Sequence, residues 1–243
     1  MDDRAEMNAD LTLSQLDSLA AKTRFSRRGF AMTTLGVGFA LAAQPIQAQT
    51  VITTDADGLD AGEVKVPTKD GMMPAYRARP HNGQNLPVVL VIHEIFGVHE
   101  HIKDLCRRLA HAGYYAISPD LYARVGDATK VSDIPTLMST IVGKTSDAQV
   151  KGDLDAAVAF AASEKANTKR LAVTGFCWGG RQTWLYTEAT PGVRAAAGDK
   201  DTKIIVYPDA PHGFNADYRP SYVAADAKEA WQNMLAWFRG HGV

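Results

Sequence analysis

The chain has 243 residues with 26 basic and 27 acidic side chains, and 46% of its residues are hydrophobic. This composition is that of an ordinary globular protein with one domain or at most two, and it excludes a disordered or fibrous chain. A formal net charge of −1 provides no basic field for phosphate groups, so a nucleic-acid partner is not expected.

The N-terminal region has the features of an export signal. Arg27 and Arg28 precede a largely apolar, uncharged run from Phe30 to Ala43. Paired arginines before a short apolar stretch are typical of a twin-arginine signal, and the run is shorter than the roughly 20 residues that a membrane-spanning helix needs. We therefore predict a signal over residues 1–48, recognition by the twin-arginine export machinery, a periplasmic or secreted location, and no membrane span in the mature protein.

After a linker over 49–62, the chain is expected to alternate strands and helices. Glu63–Val66 and Met73–Arg79 flank a turn at Lys69–Gly71 and predict a hairpin. The continuous apolar run Pro87–Ile92 is typical of a strand covered on both faces. Further strands are expected at 114–118, 170–174, 193–197 and 204–207, and helices at 99–112, 146–162, 178–190 and 222–239. This alternation predicts an α/β domain over 63–243.

A glycine-rich turn follows the strand expected at 170–174. It reads Gly175-Phe176-Cys177-Trp178-Gly179-Gly180 and fits a nucleophile elbow with Cys where Ser is commoner. Glycines two residues before and after the nucleophile let the strand and helix backbones approach closely. A helix N-terminus also stabilises a thiolate. Cys177 is therefore the candidate nucleophile, and the alternative is a small buried residue beside a tight turn.

The two cysteines of the chain, Cys106 and Cys177, are too few for a disulfide framework. An oxidising compartment would permit them to pair, but their local sequences indicate different roles, so we expect no disulfide.

Four sequence blocks resemble the dienelactone hydrolase family of α/β hydrolases. They are His93–Gly97, Pro119–Arg124, Gly175–Gly180 and Pro211–Phe214. The resemblance extends from Glu63 to the end of the chain and implies an α/β-hydrolase three-layer sandwich with a mostly parallel sheet. It also implies a hydrolase without a cofactor that cleaves a small-molecule lactone or carboxylic ester through a Cys nucleophile, as a carboxymethylenebutenolidase does.

The resemblance assigns roles to individual residues. The family triad is Cys, His and Asp, and Cys177 and His212 match the first two. Glu94 would help to activate the thiol, and Arg124 would hold a substrate carboxylate. The family's second carboxylate-binding Arg is not matched, because Ala216 stands at that position.

The oxyanion hole would be formed by the backbone N–H groups of Trp178 and Ile95. A metal site is not expected. His93, His99 and His101 lie close in sequence, but a zinc-protease helix needs His-Glu-x-x-His, and the first two histidines here are six residues apart.

The chain segment between Cys177 and His212 has too few residues for the complete fold. Only 34 residues lie between them, whereas the helices and strands expected there need more than about 45. The six residues 198–203 cannot form the crossover that joins parallel strands. We therefore predict a shortened sheet, with either a tight antiparallel turn or a distorted gap at this point.

No residue matches the family's triad Asp. Asp199, Asp201 and Asp209 are possible substitutes, although solvated loop carboxylates are the commoner reading of such residues. Two alternatives to an active hydrolase follow: an impaired or silent family member that acts by binding, or a deletion variant that folds poorly. A third alternative is a thiol redox role for Cys177.

Overall fold

A computed structural model describes residues 53–195 and 202–243. It divides into two compact units. One comprises Ile52–Ile205 with Gln232–Val243, and the other includes Val206–Trp231. The predicted signal over 1–48 lies outside the described residues.

The first unit contains a six-stranded mixed sheet in the order β1-β2-β4-β3-β5-β6. The strands are β1 (Leu59–Thr68), β2 (Gly71–Pro80), β3 (Pro87–Ile92), β4 (Tyr115–Pro119), β5 (Asn167–Gly175) and β6 (Val193–Ala195). Strand β2 pairs antiparallel with β1 and β4, and the remaining neighbours are parallel. The predicted α/β class is confirmed.

Five α-helices accompany the strands in the described ranges. They are α1 (Glu100–His111), α2 (Ile134–Thr140), α3 (Asp147–Ser163), α4 (Trp178–Ala189) and α5 (Ala224–Gly240), with short 3₁₀ turns at Ala128–Lys130 and Val142–Lys144. None of these helices is long and apolar enough to cross a membrane.

Local sequence signals account for the central elements. All six residues of β3 are buried, as its unbroken apolar run predicts. The Ser146 side chain accepts a hydrogen bond from the Gln149 N–H at 3.2 Å and so begins α3. The Gln149 side-chain amide donates to the Leu121 carbonyl at 3.2 Å, which connects this helix to the loop after β4.

The folded unit begins earlier than predicted. Strand β1 starts at Leu59 rather than at Glu63, and the Arg107 guanidinium on α1 donates to the Thr54 carbonyl at 2.8 Å. The Thr54 N–H also donates to Asp104 on the same helix. The last part of the predicted linker over 49–62 therefore packs against α1.

The strand predicted at 204–207 is wrong. These residues have no regular structure, and the Ile204 and Val206 side chains are 82% and 74% exposed. Residues of high β-propensity form a strand only where a neighbouring strand provides backbone hydrogen bonds and the apolar side chains are covered. Residues 196–201 lie outside the described part of the chain, and the predicted turn or gap at this point lies mostly within them.

Candidate active site

Cys177 lies in the two-residue turn between β5 and α4. Its backbone adopts φ +56° and ψ −118°, a strained conformation for a residue with a side chain. Such strain is concentrated at functional sites, where surrounding structure holds it in place. The side chain is partly exposed. This is the geometry of the predicted nucleophile elbow.

The two flanking glycines are sterically required. A Cβ on Gly175 would overlap the Gly179 carbonyl, and a Cβ on Gly179 would overlap the carbonyl oxygens of Ile92 and His93. The beginning of α4 therefore lies in direct contact with the end of β3. This close approach is the physical reason for the glycine spacing in the sequence.

The two cysteines differ in environment, and neither forms a disulfide. Cys106 is fully buried in α1, and burial raises the pKa of its thiol far above the ordinary value. Cys177 is partly exposed at the N-terminus of α4, where the helix dipole favours the thiolate. Cys177 is therefore the chemically accessible thiol.

The two predicted oxyanion-hole residues follow the carboxyl ends of the adjacent parallel strands β3 and β5. Trp178 is the first residue of α4, where backbone N–H groups have no acceptor within the helix. Ile95 follows β3, the parallel neighbour of β5, and both residues are nearly buried. The carboxyl ends of adjacent parallel strands form the usual ligand crevice of such sheets.

His93, named above in the block His93–Gly97 and in the excluded metal motif, holds two backbone groups beside the end of β3. Its Nδ1 donates to the Glu94 carbonyl at 2.7 Å, and its Nε2 accepts from the Leu121 N–H at 3.2 Å. The ring is fully buried, and burial lowers its pKa to about 4, so it is neutral. The Glu94 carbonyl and the Ile95 N–H belong to one peptide group. His93 therefore fixes the orientation of the peptide group that carries the predicted donor, the Ile95 N–H.

The Glu94 carboxylate pairs with a histidine. Its Oε1 lies 2.7 Å from Nε2 of His99, and both side chains are largely buried. Burial, followed by the charges of Cys177, Asp120 and Glu94, raises the pKa of the Tyr122 phenol well above its ordinary value. Cys177 and Glu94 therefore both lie near Tyr122, while activation of the thiol by Glu94 stays a prediction.

Arg124 is engaged by protein carboxylates. Its Nε and Nη2 donate to the two carboxylate oxygens of Asp70 at 2.7 Å each, and its Nη1 donates to Asp153 at 2.7 Å. A further bond joins Nη2 to Thr68 at 3.0 Å. The guanidinium thus connects the β1–β2 turn to α3. A substrate carboxylate would have to displace these partners, so this geometry gives no support to the predicted substrate-binding role.

His212 lies on an exposed turn of the second unit. The following Gly213 has φ +80°, and the Phe214 ring centroid lies 5.3 Å from that of Tyr207. Cys177 belongs to the first unit, so the pairing of the two residues stays a prediction. Asp209 is exposed on the same stretch, and Asp199 and Asp201 lie outside the described residues.

Comparison with known proteins is consistent with these features. The model of the "Dienelactone hydrolase family" matches residues 73–200 and 197–242. The chain belongs to the dienelactone hydrolase family. A Methylorubrum extorquens protein is 46% identical over 95% of this chain and 98% of its own length, and an Escherichia coli K12 protein is 43% identical over 86% and 97%. Both bear the name "Putative carboxymethylenebutenolidase".

Two solved structures have a similar fold. The crystal structure named "Putative Dienelactone Hydrolase" from Klebsiella pneumoniae superposes with a TM-score of 0.71 and 43% identity, covering 74% of this chain and 98% of its own. The dienelactone hydrolase-like phosphotriesterase P91, at 21% identity and a TM-score of 0.63 over 76% of this chain and 99% of its own, shares the fold alone.

The Methylorubrum protein has residues that this chain lacks. The alignment with the Methylorubrum protein has 285 positions, more than the 243 residues of this chain, so it includes positions with no residue here. The family model matches in two segments that meet at 197–200.

We expect His93→Gln to change the pH dependence of stability. The folded-state pKa of about 4 lies below the ordinary 6.5, so between these values the unfolded chain binds a proton that the folded chain does not. Lowering the pH from 7 to 4.5 therefore destabilises the wild type by about 2 to 3 kcal/mol through this residue, and Gln removes that contribution. Urea unfolding of both proteins at the two pH values measures it. Identical pH dependence in the two proteins would contradict a buried neutral ring.

We expect Arg124→Met to affect stability rather than substrate binding. Asp153 would stay buried without its ion-pair partner, so the free energy of unfolding should fall by about 2 to 4 kcal/mol. The KM for neutral and for anionic esters should stay within about twofold of the wild type. Asp70→Asn, which removes the charge of the more exposed partner, should lower the free energy of unfolding by a smaller amount. A raised KM for the anionic ester alone, at unchanged stability, would instead support the substrate role.

Proposed function

We propose that this protein hydrolyses carboxylic esters or lactones through attack of the Cys177 thiolate on the carbonyl carbon. The single observation that carries the proposal is the strained Cys177 between two sterically required glycines at the start of α4. Membership of the dienelactone hydrolase family, and the carboxymethylenebutenolidase name of its relatives, supply the reaction class.

The proposed reaction has two halves. Sulfur attack forms a C–S bond, and the carbonyl electrons move to the oxygen, where the N–H groups of Trp178 and Ile95 stabilise the oxyanion. Collapse of this intermediate breaks the bond to the leaving oxygen, which takes a proton from the protonated imidazole of His212. Water, deprotonated by His212, then attacks the thioester carbonyl, and the C–S bond breaks, which releases the acid and restores the Cys177 thiolate beside protonated His212.

We also propose that the segment which would carry the family's catalytic Asp is missing from this chain. Only 34 residues separate Cys177 from His212, and the relative's alignment contains positions that this chain lacks. Loss of the orienting acid slows a serine triad by orders of magnitude. A thiolate depends less on a triad, since it is intrinsically nucleophilic and is stabilised by the α4 N-terminus. Acylation should therefore persist, and deacylation, which needs an oriented base, should become slow.

The substrate is best described as a small ester or lactone whose recognition does not depend on Arg124. That guanidinium already binds Asp70 and Asp153, and Ala216 replaces the family's second carboxylate-binding Arg. Neutral substrates are therefore compatible with the charges of the site.

The export signal supports a second, separate proposal about location. Arg27 and Arg28 before the uncharged run Phe30–Ala43 lead us to propose twin-arginine export to the periplasm or beyond.

Cys177→Ala should abolish hydrolysis of p-nitrophenyl acetate. Wild-type protein should release a burst of about one p-nitrophenol per chain and then turn over slowly, because the thioester accumulates. Cys106→Ala is the matched control and should keep the burst, since that thiol is buried in α1. Activity retained in Cys177→Ala would overturn the mechanism. A well-folded wild type without any thiol-dependent acylation would favour the binding alternative.

Replacing both Arg27 and Arg28 by Lys should stop export. The charge is unchanged, but the paired guanidinium groups that define the signal are lost. Fractionation of cells that express each form should locate the wild type in the periplasm or medium and the variant in the cytoplasm. Equal distribution of the two forms would refute the export proposal.

A further inference from the structure

The Tyr122 hydroxyl is an unsatisfied polar group close to the nucleophile. The side chain is fully buried, and within the described residues its Oη has no hydrogen-bond partner. A buried hydroxyl without a partner loses its hydrogen bonds to water and gains nothing in return. Such groups are rare in folded proteins, and each one requires an explanation.

The position of the Tyr122 ring indicates what the hydroxyl serves. The ring centroid lies 5.1 Å from that of Trp178 and 4.6 Å from that of His93. Trp178 carries one oxyanion-hole N–H, and His93 holds the peptide group that carries the other, the Ile95 N–H. The phenol therefore packs against both residues that set the geometry of the oxyanion hole.

The backbone of Tyr122 is also held in place. Its N–H donates to Oδ1 of Asp120 at 3.1 Å, and the His93 ring accepts from the adjacent Leu121 N–H. The ring itself packs between aromatic neighbours, so the hydroxyl has little freedom to find another partner. A donor that is fixed before the substrate binds does not need to reorganise during the reaction.

The hydroxyl keeps its proton at any physiological pH. Burial raises the pKa of the phenol well above its ordinary value, and the negative charge of Cys177 is the next cause. The group is therefore a neutral donor whose hydrogen is not committed to any described acceptor.

We propose that the Tyr122 hydroxyl is a third donor of the oxyanion hole, which hydrogen-bonds the ester carbonyl oxygen as that oxygen gains charge. This inference rests on the proposed function, since it needs acyl transfer to Cys177. The oxyanion hole is itself nearly buried, because Trp178 and Ile95 are 6% and 4% exposed, so a buried donor fits it. The substrate oxygen is then the missing partner of the hydroxyl.

Two other buried tyrosines provide matched controls. Tyr115 donates its hydroxyl proton to Glu164 at 2.6 Å, and Tyr186 donates to Asp155 at 3.0 Å. In both, the hydroxyl is satisfied within the protein, so Phe removes a structural hydrogen bond. In Tyr122→Phe no such bond is lost.

The experiment compares two reactions of the same thiol. Acylation of Cys177 by p-nitrophenyl acetate develops an oxyanion, whereas alkylation by iodoacetamide displaces iodide and develops none. Tyr122→Phe should slow acylation on the order of 100-fold, the effect of removing one oxyanion-hole donor. Alkylation of Cys177, located by mass spectrometry, should stay within about twofold, and the urea midpoint should stay unchanged or rise. Tyr115→Phe should show the reverse, with a lower midpoint and normal acylation.

Each other outcome has one meaning. Acylation of Tyr122→Phe at the wild-type rate would overturn the third donor alone. Equal slowing of acylation and alkylation would overturn it too, because Tyr122 would then act on the thiol. Slow acylation together with a midpoint as low as that of Tyr115→Phe would make the residue structural. A wild type that is alkylated but never acylated would overturn the proposed function and, with it, this role.

Discussion

The contact between Gly179 at the start of α4 and the carbonyl oxygens of Ile92 and His93 at the end of β3 is the constraint on which the site depends. No side-chain carbon fits between them. Because α4 carries Trp178 and β3 leads into Ile95, this contact sets how far apart the two proposed oxyanion-hole N–H groups lie. Gly175 contacts Gly179 in the same way from β5, and the chain between these two glycines is forced into the left-handed turn that holds Cys177.

The interactions around this contact are mostly neutral. His93, Tyr122 and Trp178 form a buried aromatic group in which the imidazole is uncharged and the phenol is protonated. The ion pair of Arg124 with Asp153 lies elsewhere, where it connects α3 to the first hairpin. Neutral donors suit the proposed oxyanion hole, because fixed dipoles stabilise the charge that develops on the substrate oxygen without binding another anion beforehand.

Sequence reasoning succeeded where the signal is local. The apolar run of β3, the Ser146 cap of α3 and the glycines around Cys177 are each read within a few residues. It could not find the partners of Arg124, because Asp70 and Asp153 are 54 and 29 residues away and nothing in their local sequence marks them. The role of His93 could not be predicted either, because it depends on which backbone groups form hydrogen bonds with its two ring nitrogens.

The strand wrongly predicted at 204–207 has a strong local signal but lacks a neighbouring strand among the described residues. The segment has strong β-propensity, yet strand formation depends on a neighbour that propensity cannot supply. The same segment follows residues 197–200, where the two segments matched by the family model meet. A missing neighbour there would deprive an otherwise good strand of its place in the sheet.

The three-residue strand β6 has a further consequence for handling the protein. Within the described part of the chain it has a strand neighbour on one side only, and the side chains of Ile204, Ile205 and Val206 are exposed. An open strand edge is a template on which a second chain can pair, and exposed apolar side chains favour such pairing. Pairing of two chains is second order in protein concentration, so a tenfold dilution should extend the half-life of the unpaired protein about tenfold.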